Sequence, residues 1–277
     1  MDRPRFSPYV DVAVRAVREA ADVLRAYFAR PPKPGEVRYK GPVNPVTEAD
    51  HASEACVVSR LREAFPDHGV VAEEGRGARA DGAPCWYVDP LDGTTNFAHR
   101  LPWFGISVAL AEGEHVRLGV VYHPALDELF VAERGAGAWL LSGEQLWRLE
   151  VSRTARLQEA LVATGTPTDI GTTGNNLPQI VTMLKLAEDV RQMGSAALNL
   201  CYVAAGRLDA FWEPDLNPWD VAAGALMVLE AGGVVTGMDG SPYAVTTRSP
   251  LATNGVLHPQ ILALFQTRLE GPFGTSA

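Results

Sequence analysis

The chain has 277 residues, 47% of them hydrophobic and 21% charged, a composition that excludes a disordered, collagen-like or disulfide-stapled protein. The 24 basic and 33 acidic side chains give a net charge of −9, which disfavours direct binding to nucleic acid or to anionic lipid. The three cysteines are far apart and form no CxxC pair, so they predict neither a zinc site nor a disulfide framework and favour a reducing, cytoplasmic setting.

Two helices are predicted at the start of the chain. Pro8 at a first helical position begins one, which ends before Pro31, and Thr47 with Asp50 predicts the capping box of the next. Charges are spread through the first helix and uncharged runs elsewhere are short, so we expect no secretion signal and no membrane anchor. Residues 31–45 contain Pro and Gly, and we expect a mobile loop there.

Short β-rich runs and a second set of helices follow. The first runs predict a largely antiparallel sheet at residues 69–72, 85–88, 104–111, 116–122, 128–132 and 138–141. Beyond them, strands are predicted at 161–163, 208–212 and 234–236, and helices at 176–186, 195–205, 217–229 and 259–269. We therefore expect one compact unit of two halves, residues 1–150 and 151–277, each with helices and its own sheet.

The stretch WYVDPLDGTTNF at residues 86–97 carries the strongest chemical signal. A hydrophobic strand runs into Asp89 and Asp92, and Gly93 permits a tight turn, so both carboxylates can point to one place. The amides of residues 93–95 then begin a helix, and such an N-terminus attracts anions such as phosphate. The alternative is an ordinary pair of Asp-Pro and Asp-Gly turns at the surface.

Carboxylates beside a phosphate site repel both one another and the ligand, and a divalent cation resolves that conflict. Mg²⁺ is the natural choice because it takes carboxylate and phosphate oxygens as ligands. Two more acidic segments fit the same site: Glu73, which follows a strand, and Asp220, which follows Asn217-Pro218 at the start of a helix. Taken alone, Glu73 is explained equally by a solvated loop and Asp220 by a helix cap.

These three segments, in this order, resemble the inositol monophosphatase family, a branch of the Mg²⁺-dependent, lithium-sensitive phosphatases. The resemblance covers nearly the whole chain and includes DPLDGTTNF at 89–97, PWDVAAG at 218–224 and EAGG at 230–233. It implies an α+β fold, a layered α-β-α-β-α sandwich of the inositol monophosphatase and fructose-1,6-bisphosphatase type.

The resemblance also assigns the metal and phosphate ligands. Two or three Mg²⁺ ions would be bound by Glu73, Asp89, Asp92, Asp220 and the carbonyl of Leu91, and the phosphate by Gly93, Thr94 and Thr95. Thr94 and Asp50 would orient the attacking water, and Glu73 would accept a hydrogen bond from it. Asp50 has a simpler explanation as the capping-box acid of the second helix. Lys40 stands where the family has a mobile basic loop residue, although most loop lysines are merely solvated.

The pocket for the alcohol part of the substrate would be formed, by the same resemblance, by Asp92, Gly194, Ser195, Ala196, Glu213 and Asp220. A carboxylate such as Glu213 suits the vicinal hydroxyls of a polyol, which favours inositol 1-phosphate over adenosine bisphosphate. Residues 165–169, Gly-Thr-Pro-Thr-Asp, lack the aromatic that bacterial relatives commonly have in this wall, so other sugar phosphates could fit.

The predicted function is that of a Mg²⁺-dependent phosphomonoesterase that hydrolyses inositol 1-phosphate and related polyol phosphates. Alternatives are fructose-1,6-bisphosphatase, histidinol-phosphatase or nucleotide 3′-phosphatase activity, and a regulatory protein that keeps the fold but acts through a partner. The family resemblance further implies a homodimer, for which the apolar helix at residues 196–205 is either an interface or an interior element. The six histidines show no ligand spacing and are interpreted as surface or turn residues.

Overall fold

The computed structural model describes residue 4 and residues 6–30, 37–39, 45–75, 82–166 and 176–266. The helices in these ranges are α1 (Pro8–Ala29), α2 (Glu48–Ala64), α3 (Thr94–Ala98), α4 (Leu177–Leu186), α5 (Ala196–Ala204), α6 (Pro218–Glu230) and α7 (His258–Gln266). The strands of the first half are β1 (Val37–Tyr39), β2 (Pro45–Thr47), β3 (Gly69–Ala72), β4 (Cys85–Asp92), β5 (Gly105–Glu112), β6 (His115–His123), β7 (Glu128–Glu133), β8 (Gly137–Ser142) and β9 (Gln145–Arg148). The strands of the second half are β10 (Leu161–Thr164), β11 (Asp189–Arg191), β12 (Ala210–Trp212), β13 (Val234–Gly237) and β14 (Pro250–Thr253).

Two sheets form the frame of the molecule. The larger has the order β3-β4-β5-β6-β7-β8-β9, in which β3 and β4 are parallel and every other neighbouring pair is antiparallel. The smaller has the order β11-β10-β12-β14-β13, with β10 parallel to both of its neighbours. The predicted antiparallel sheet of the first half and the smaller sheet of the second half are both present.

Helices and sheets alternate in five layers. Successive strand residues face opposite sides of a sheet, so each sheet can pack against helices on both of its faces. Trp86 and Val88 of β4 pack under α1 and α2, whereas Cys85 and Tyr87 face α5 and α6. Helices α5 and α6 are buried between the two sheets. Helices α4 and α7 cover the far side of the smaller sheet, where Trp212 of β12 packs against them. The order is therefore α-β-α-β-α, and the predicted layered α+β fold is confirmed.

The predicted helix starts agree with the structure where a cap or a proline marks them. Pro8 is the first residue of α1, and Thr47 caps α2 in a capping box with Asp50, whose carboxylate accepts a hydrogen bond from the Thr47 amide at 2.8 Å. Pro218 opens α6, where Asn217 and Asp220 form a second capping box.

Several predictions about the rest of the fold were wrong. The expected loop at residues 31–45 includes β1, and strands β2, β9, β11 and β14 were also not predicted. His123 and His258 are buried, at 0% and 7% exposure, instead of lying at the surface. Helix α5 is enclosed within the chain, so the interior alternative holds for it. Lys40, residues 167–169 and the last three residues of the helix predicted at 259–269 lie outside the described residues.

Residues from both halves of the chain build the central core between the sheets, which joins β4 to β8 with α5, α6 and the smaller sheet. In the part of the chain that the structure describes, no helix is both long and apolar enough to cross a membrane.

Candidate active site

The signature stretch forms a strand, a tight turn and a short helix. Strand β4 ends at Asp92, Gly93 takes a left-handed conformation with φ 98°, and α3 begins at Thr94 without a side-chain cap. A Cβ on Gly93 would lie 3.0 Å from the Trp103 carbonyl oxygen and 3.1 Å from that of Gly194. Both the backbone conformation and the close approach therefore require glycine here.

A cavity of about 400 Å³ opens over this turn and receives residues from both halves of the chain. Its lining includes most of the predicted site residues: Glu73, Asp89, Leu91, Asp92, Gly93, Thr94, Thr95, Gly194, Ser195, Ala196, Glu213 and Asp220. Asp50 is not part of the lining and lies behind Thr94. The fold thus brings five segments to one place, at the end of β3, the end of β4 with the start of α3, the start of α5, the end of β12 and the start of α6.

Asp92 is held by the start of α5. Ser195 Oγ donates a hydrogen bond to it at 2.6 Å, and the amides of Ala197 and Ala196 donate at 2.7 and 3.3 Å. Burial nevertheless raises the pKa of Asp92 to about 6, because the hydrogen bonds offset only part of the desolvation and Glu73 adds repulsion. The side chain is therefore fixed in position and unfavourably charged at neutral pH.

Asp89 and Asp220 are in the same electrostatic situation. Burial raises the pKa of Asp89 well above its usual range, and repulsion from Glu73, Asp92 and Asp220 raises it further, although the Leu91 amide donates to its Oδ1 at 3.0 Å. Burial likewise raises the pKa of Asp220 to about 8, against the hydrogen bond that its Oδ2 accepts from the Asn217 amide at 2.7 Å. Asp220 is thus both a helix cap and a cavity residue.

The donor set suits a cation of hard, oxygen-preferring character. The carboxylates of Asp89, Asp92 and Asp220, of which the first two are buried, line one cavity with Leu91, and the described lining includes no Lys, Arg or His. In the described ranges, no three His, Cys, Asp or Glu side chains are arranged so that they could hold a metal ion. Instead, Asp89 and Asp220 accept hydrogen bonds from protein amides, and Asp92 accepts them from the Ser195 hydroxyl and two amides.

Thr94 and Asp50 form a hydrogen-bonded pair beside the cavity. The Thr94 hydroxyl lies 3.0 Å from Asp50 Oδ1 and 3.0 Å from the Leu91 carbonyl oxygen, and it can donate its single proton to either. Asp50 Oδ2 also accepts a hydrogen bond from the Thr47 hydroxyl at 2.6 Å. Burial raises the pKa of Asp50 to about 6, with these hydrogen bonds acting in the opposite direction. Asp50 therefore joins the helix cap to Thr94, and the two interpretations of this residue are compatible.

Glu213 lines the same cavity and lies immediately after β12. Burial raises its pKa to about 8, and the charges of Asp92 and Asp220 contribute. The sequence predicted a carboxylate that accepts hydrogen bonds. At neutral pH and without a cation, the structure favours the protonated acid, which can both donate and accept.

Asn96 was part of the quoted signature, yet sequence analysis gave it no role. Its Nδ2 donates to the Trp103 carbonyl at 2.9 Å and to the Met193 carbonyl at 2.8 Å. The amide thereby ties α3 to the segment that leads into α5, and a Cβ on Gly194 would approach it to 3.0 Å. The only local signal for Asn96 was its position directly after two threonines at a helix start. Its role could not be predicted from that position, because one of its partners, Met193, is distant in sequence.

The arrangement defines a class: a layered α+β protein whose strand ends and helix starts surround a carboxylate-rich cavity. The sequence profile of the inositol monophosphatase family matches residues 6–270. The chain belongs to the inositol monophosphatase family and is a phosphatase of that family.

Individual relatives and structures are similar over most of their length. The chain is 40% identical to an inositol-1-monophosphatase of a Synechocystis species over 267 residues, which are 94% of this chain and 91% of that protein. It is 37% identical to a fructose-1,6-bisphosphatase/inositol-1-monophosphatase of Thermotoga maritima, over 94% of this chain and 97% of the relative. The crystal structure of the extragenic suppressor protein suhB from Bartonella henselae has a TM-score of 0.87 at 36% identity, covering 95% of this chain and all of that one.

Proposed function

We propose that this chain is a Mg²⁺-dependent phosphomonoesterase that hydrolyses inositol 1-phosphate and related polyol phosphates. The observation that carries the proposal is the convergence of Asp89, Asp92 and Asp220 on one cavity, which Glu213 also lines. Three carboxylates with raised pKa values oppose folding unless something compensates their charge, and a divalent cation does so. Glu73 and the Leu91 carbonyl would complete the ligands, for two or three ions as in the family.

The chemistry that Mg²⁺ supplies when bound is Lewis acidity, which acidifies water and stabilises negative charge on the phosphoryl group and the leaving oxygen. The chain provides the positioning. When the Thr94 hydroxyl donates to Asp50, its oxygen lone pairs can accept a hydrogen bond from the attacking water, and Glu73 would accept a second. The Leu91 carbonyl is the other acceptor for the Thr94 proton. When that carbonyl serves as a metal ligand, the hydrogen bond from Thr94 to Asp50 is favoured.

The phosphate and the alcohol would occupy opposite parts of the cavity. The amides of residues 93–95 begin α3 without a side-chain cap, which makes them available to phosphoryl oxygens. The alcohol would extend toward residues 194–196 and Glu213. Water would attack phosphorus from the Thr94 side as the P–O bond to the alcohol breaks, and the leaving alkoxide would take up the proton that the water releases. Direct attack by water requires no covalent enzyme intermediate.

The decisive experiment compares phosphate release from inositol 1-phosphate, fructose 1,6-bisphosphate, histidinol phosphate and adenosine 3′,5′-bisphosphate, each with Mg²⁺ and with EDTA. We expect inositol 1-phosphate to be hydrolysed with the highest kcat/KM and EDTA to abolish the activity. A different leading substrate would leave the metal chemistry in place and refute the polyol assignment. Hydrolysis of none of them would favour the regulatory alternative, in which the chain acts through a partner.

Glu213→Ala separates the pocket from the chemistry. Leaving a buried hydrogen-bonding group without its partner costs about 1–3 kcal/mol, so we expect kcat/KM for inositol 1-phosphate to fall at least about fivefold relative to that for p-nitrophenyl phosphate. Equal losses on both substrates would remove Glu213 from recognition of the alcohol. The same assay with added Li⁺ tests the lithium sensitivity that the family implies.

Two further proposals concern the state of the protein in the cell. We propose a homodimer, supported by the family resemblance and testable by light scattering. We also propose a cytoplasmic location. Its support is the cysteine usage, since Cys56, Cys85 and Cys201 form no disulfide.

A further inference from the structure

Gly165 and Glu213 lie side by side where two parallel strands end. Strands β10 and β12 are paired in the register Ala163 with Phe211 and Thr164 with Trp212. Gly165 directly follows β10 and Glu213 directly follows β12, and both residues line the cavity. The register of the smaller sheet therefore sets the position of Glu213 against Gly165.

Residue 165 must be a glycine because the Glu213 side chain occupies the space of a Cβ there, and not because of its backbone conformation. A Cβ at this position would overlap the Cδ and both carboxylate oxygens of Glu213. The φ angle of Gly165 lies outside the left-handed region, so its conformation is open to any residue. Gly93 differs, because there the obstruction is backbone and φ is positive. The space over Gly165 is thus filled by the carboxyl group of Glu213.

Asn176 prevents the chain at Gly165 from moving away. Its Nδ2 donates to the Gly165 carbonyl at 2.6 Å and to Thr164 Oγ1 at 3.0 Å, and Thr164 Oγ1 donates to the Trp212 carbonyl at 2.7 Å. Asn176 and Thr164 are almost fully buried, at 2% and 1% exposure. These hydrogen bonds connect the end of β10 to the residue before Glu213 and fix the separation of the two strand ends.

We propose that Gly165 is a specificity-determining position, which admits the Glu213 carboxyl group to the cavity wall, and that Asn176 is the positioning residue that maintains this arrangement. The proposal rests on the proposed function, since it needs Glu213 to contact the alcohol part of a polyol phosphate. Adding a methyl group at residue 165 displaces the carboxyl group from that wall. The carboxylates at Asp89, Asp92 and Asp220 are on other segments and keep their positions.

The test is the ratio of kcat/KM for inositol 1-phosphate to kcat/KM for p-nitrophenyl phosphate, measured with Mg²⁺. For Gly165→Ala we expect the ratio to fall by about fivefold or more, the effect of losing one hydrogen bond to the polyol. The variant should fold, because the overlapping atoms are the far end of a flexible side chain. A melting temperature equal to that of the parent, with an unchanged ratio, would overturn the proposal.

A double-mutant cycle makes the result specific. On a Glu213→Ala background the obstruction is gone, so adding Gly165→Ala should leave the ratio where Glu213→Ala has set it. Reductions that multiply in the double variant would mean that Gly165 acts independently of Glu213 and would refute the inference. If Glu213→Ala alone leaves the ratio unchanged, the polyol assignment itself has failed, and that outcome differs from a failure at Gly165.

Asn176→Asp tests the positioning role with a side chain of the same size. The carboxylate has no N–H to donate to the Gly165 carbonyl, so we expect the ratio to fall in the same direction, with no further fall on the Glu213→Ala background. An unchanged ratio in a folded Asn176→Asp protein would remove Asn176 from the positioning role.

Discussion

Replacing Asp92 by Asn tests the candidate cation site through stability as well as through activity. Burial raises the pKa of Asp92 from 3.8 to about 6, even though Ser195 and the amides of α5 donate to it. Asn has the shape of the protonated acid, so the substitution approximates a permanently neutral Asp92. The shift of about 2 pKa units corresponds to about 3 kcal/mol between the two forms.

The sign of the effect follows from proton binding. Because the pKa of Asp92 is higher in the folded chain, no penalty exists below about pH 4, and stability falls as pH rises toward about 6. At pH 7.5 in EDTA the parent protein bears the full penalty. We therefore expect Asp92→Asn to have a free energy of unfolding equal to that of the parent or up to about 3 kcal/mol higher. Mg²⁺ should stabilise the parent and have a much smaller effect on the variant, because only the parent has the full set of carboxylates.

The assay is urea unfolding at pH 7.5 in EDTA and in Mg²⁺, combined with phosphate release. Asp67→Asn is a matched control, since Asp67 is an exposed carboxylate, and we expect it to change neither quantity. An Asp92→Asn protein that is less stable than the parent in EDTA by more than about 1 kcal/mol would show that Asp92 is mainly a structural acceptor. Turnover at the parent rate in this variant would refute the cation assignment.

Three further substitutions test the surroundings of the site. Asn96→Asp places a carboxylate against the Met193 carbonyl. In steady-state kinetics we expect kcat to fall at least about tenfold, with a smaller proportional change in KM. An unchanged kcat would contradict this prediction. Burial lowers the pKa of His123 to about 4, so between pH 7.5 and 5 the unfolded chain takes up a proton that the folded one refuses, and stability should fall by about 2 kcal/mol. Urea unfolding of His123→Gln at both pH values should lack that loss, and an equal loss in both proteins would exclude His123 as its source. A Cβ on Gly119 would lie 2.7 Å from the Ala223 backbone, so Gly119→Ala should destabilise the fold by about 1–3 kcal/mol in the same unfolding assay, whereas an unchanged midpoint would show that α6 can shift freely.

Elements with local signals could be predicted from sequence, and elements that depend on neighbours could not. Helices α1, α2 and α6 begin at the predicted prolines and caps, because capping is a contact between residues three positions apart. Strand β14 begins with a proline and has no alternating pattern, yet it lies between β12 and β13 and pairs with both. Its strand character comes from those partners and not from its own four residues.

The candidate site shows the same division. The stretch at residues 86–97 indicated the carboxylates because the strand end, the glycine and the acids are adjacent in sequence. The burial of His123 and the contact of Gly165 with Glu213 had no sequence signal, since both arise from packing between elements that are far apart. Sequence could likewise propose Glu213 as a carboxylate but not its raised pKa, which requires the enclosed wall around it.

The hydrogen bonds to Asp92 span 103 to 105 residues of chain. During synthesis, the acidic end of β4 therefore leaves the ribosome long before α5, whose first residues donate hydrogen bonds to Asp92. It also leaves before α6, which carries Asp220. A chain arrested between the two halves lacks Ser195, Ala196, Ala197 and Asp220 and therefore cannot assemble the carboxylate cavity. Under the proposed function, phosphate release would therefore require that both halves are translated and docked, so it would serve as a readout of complete folding.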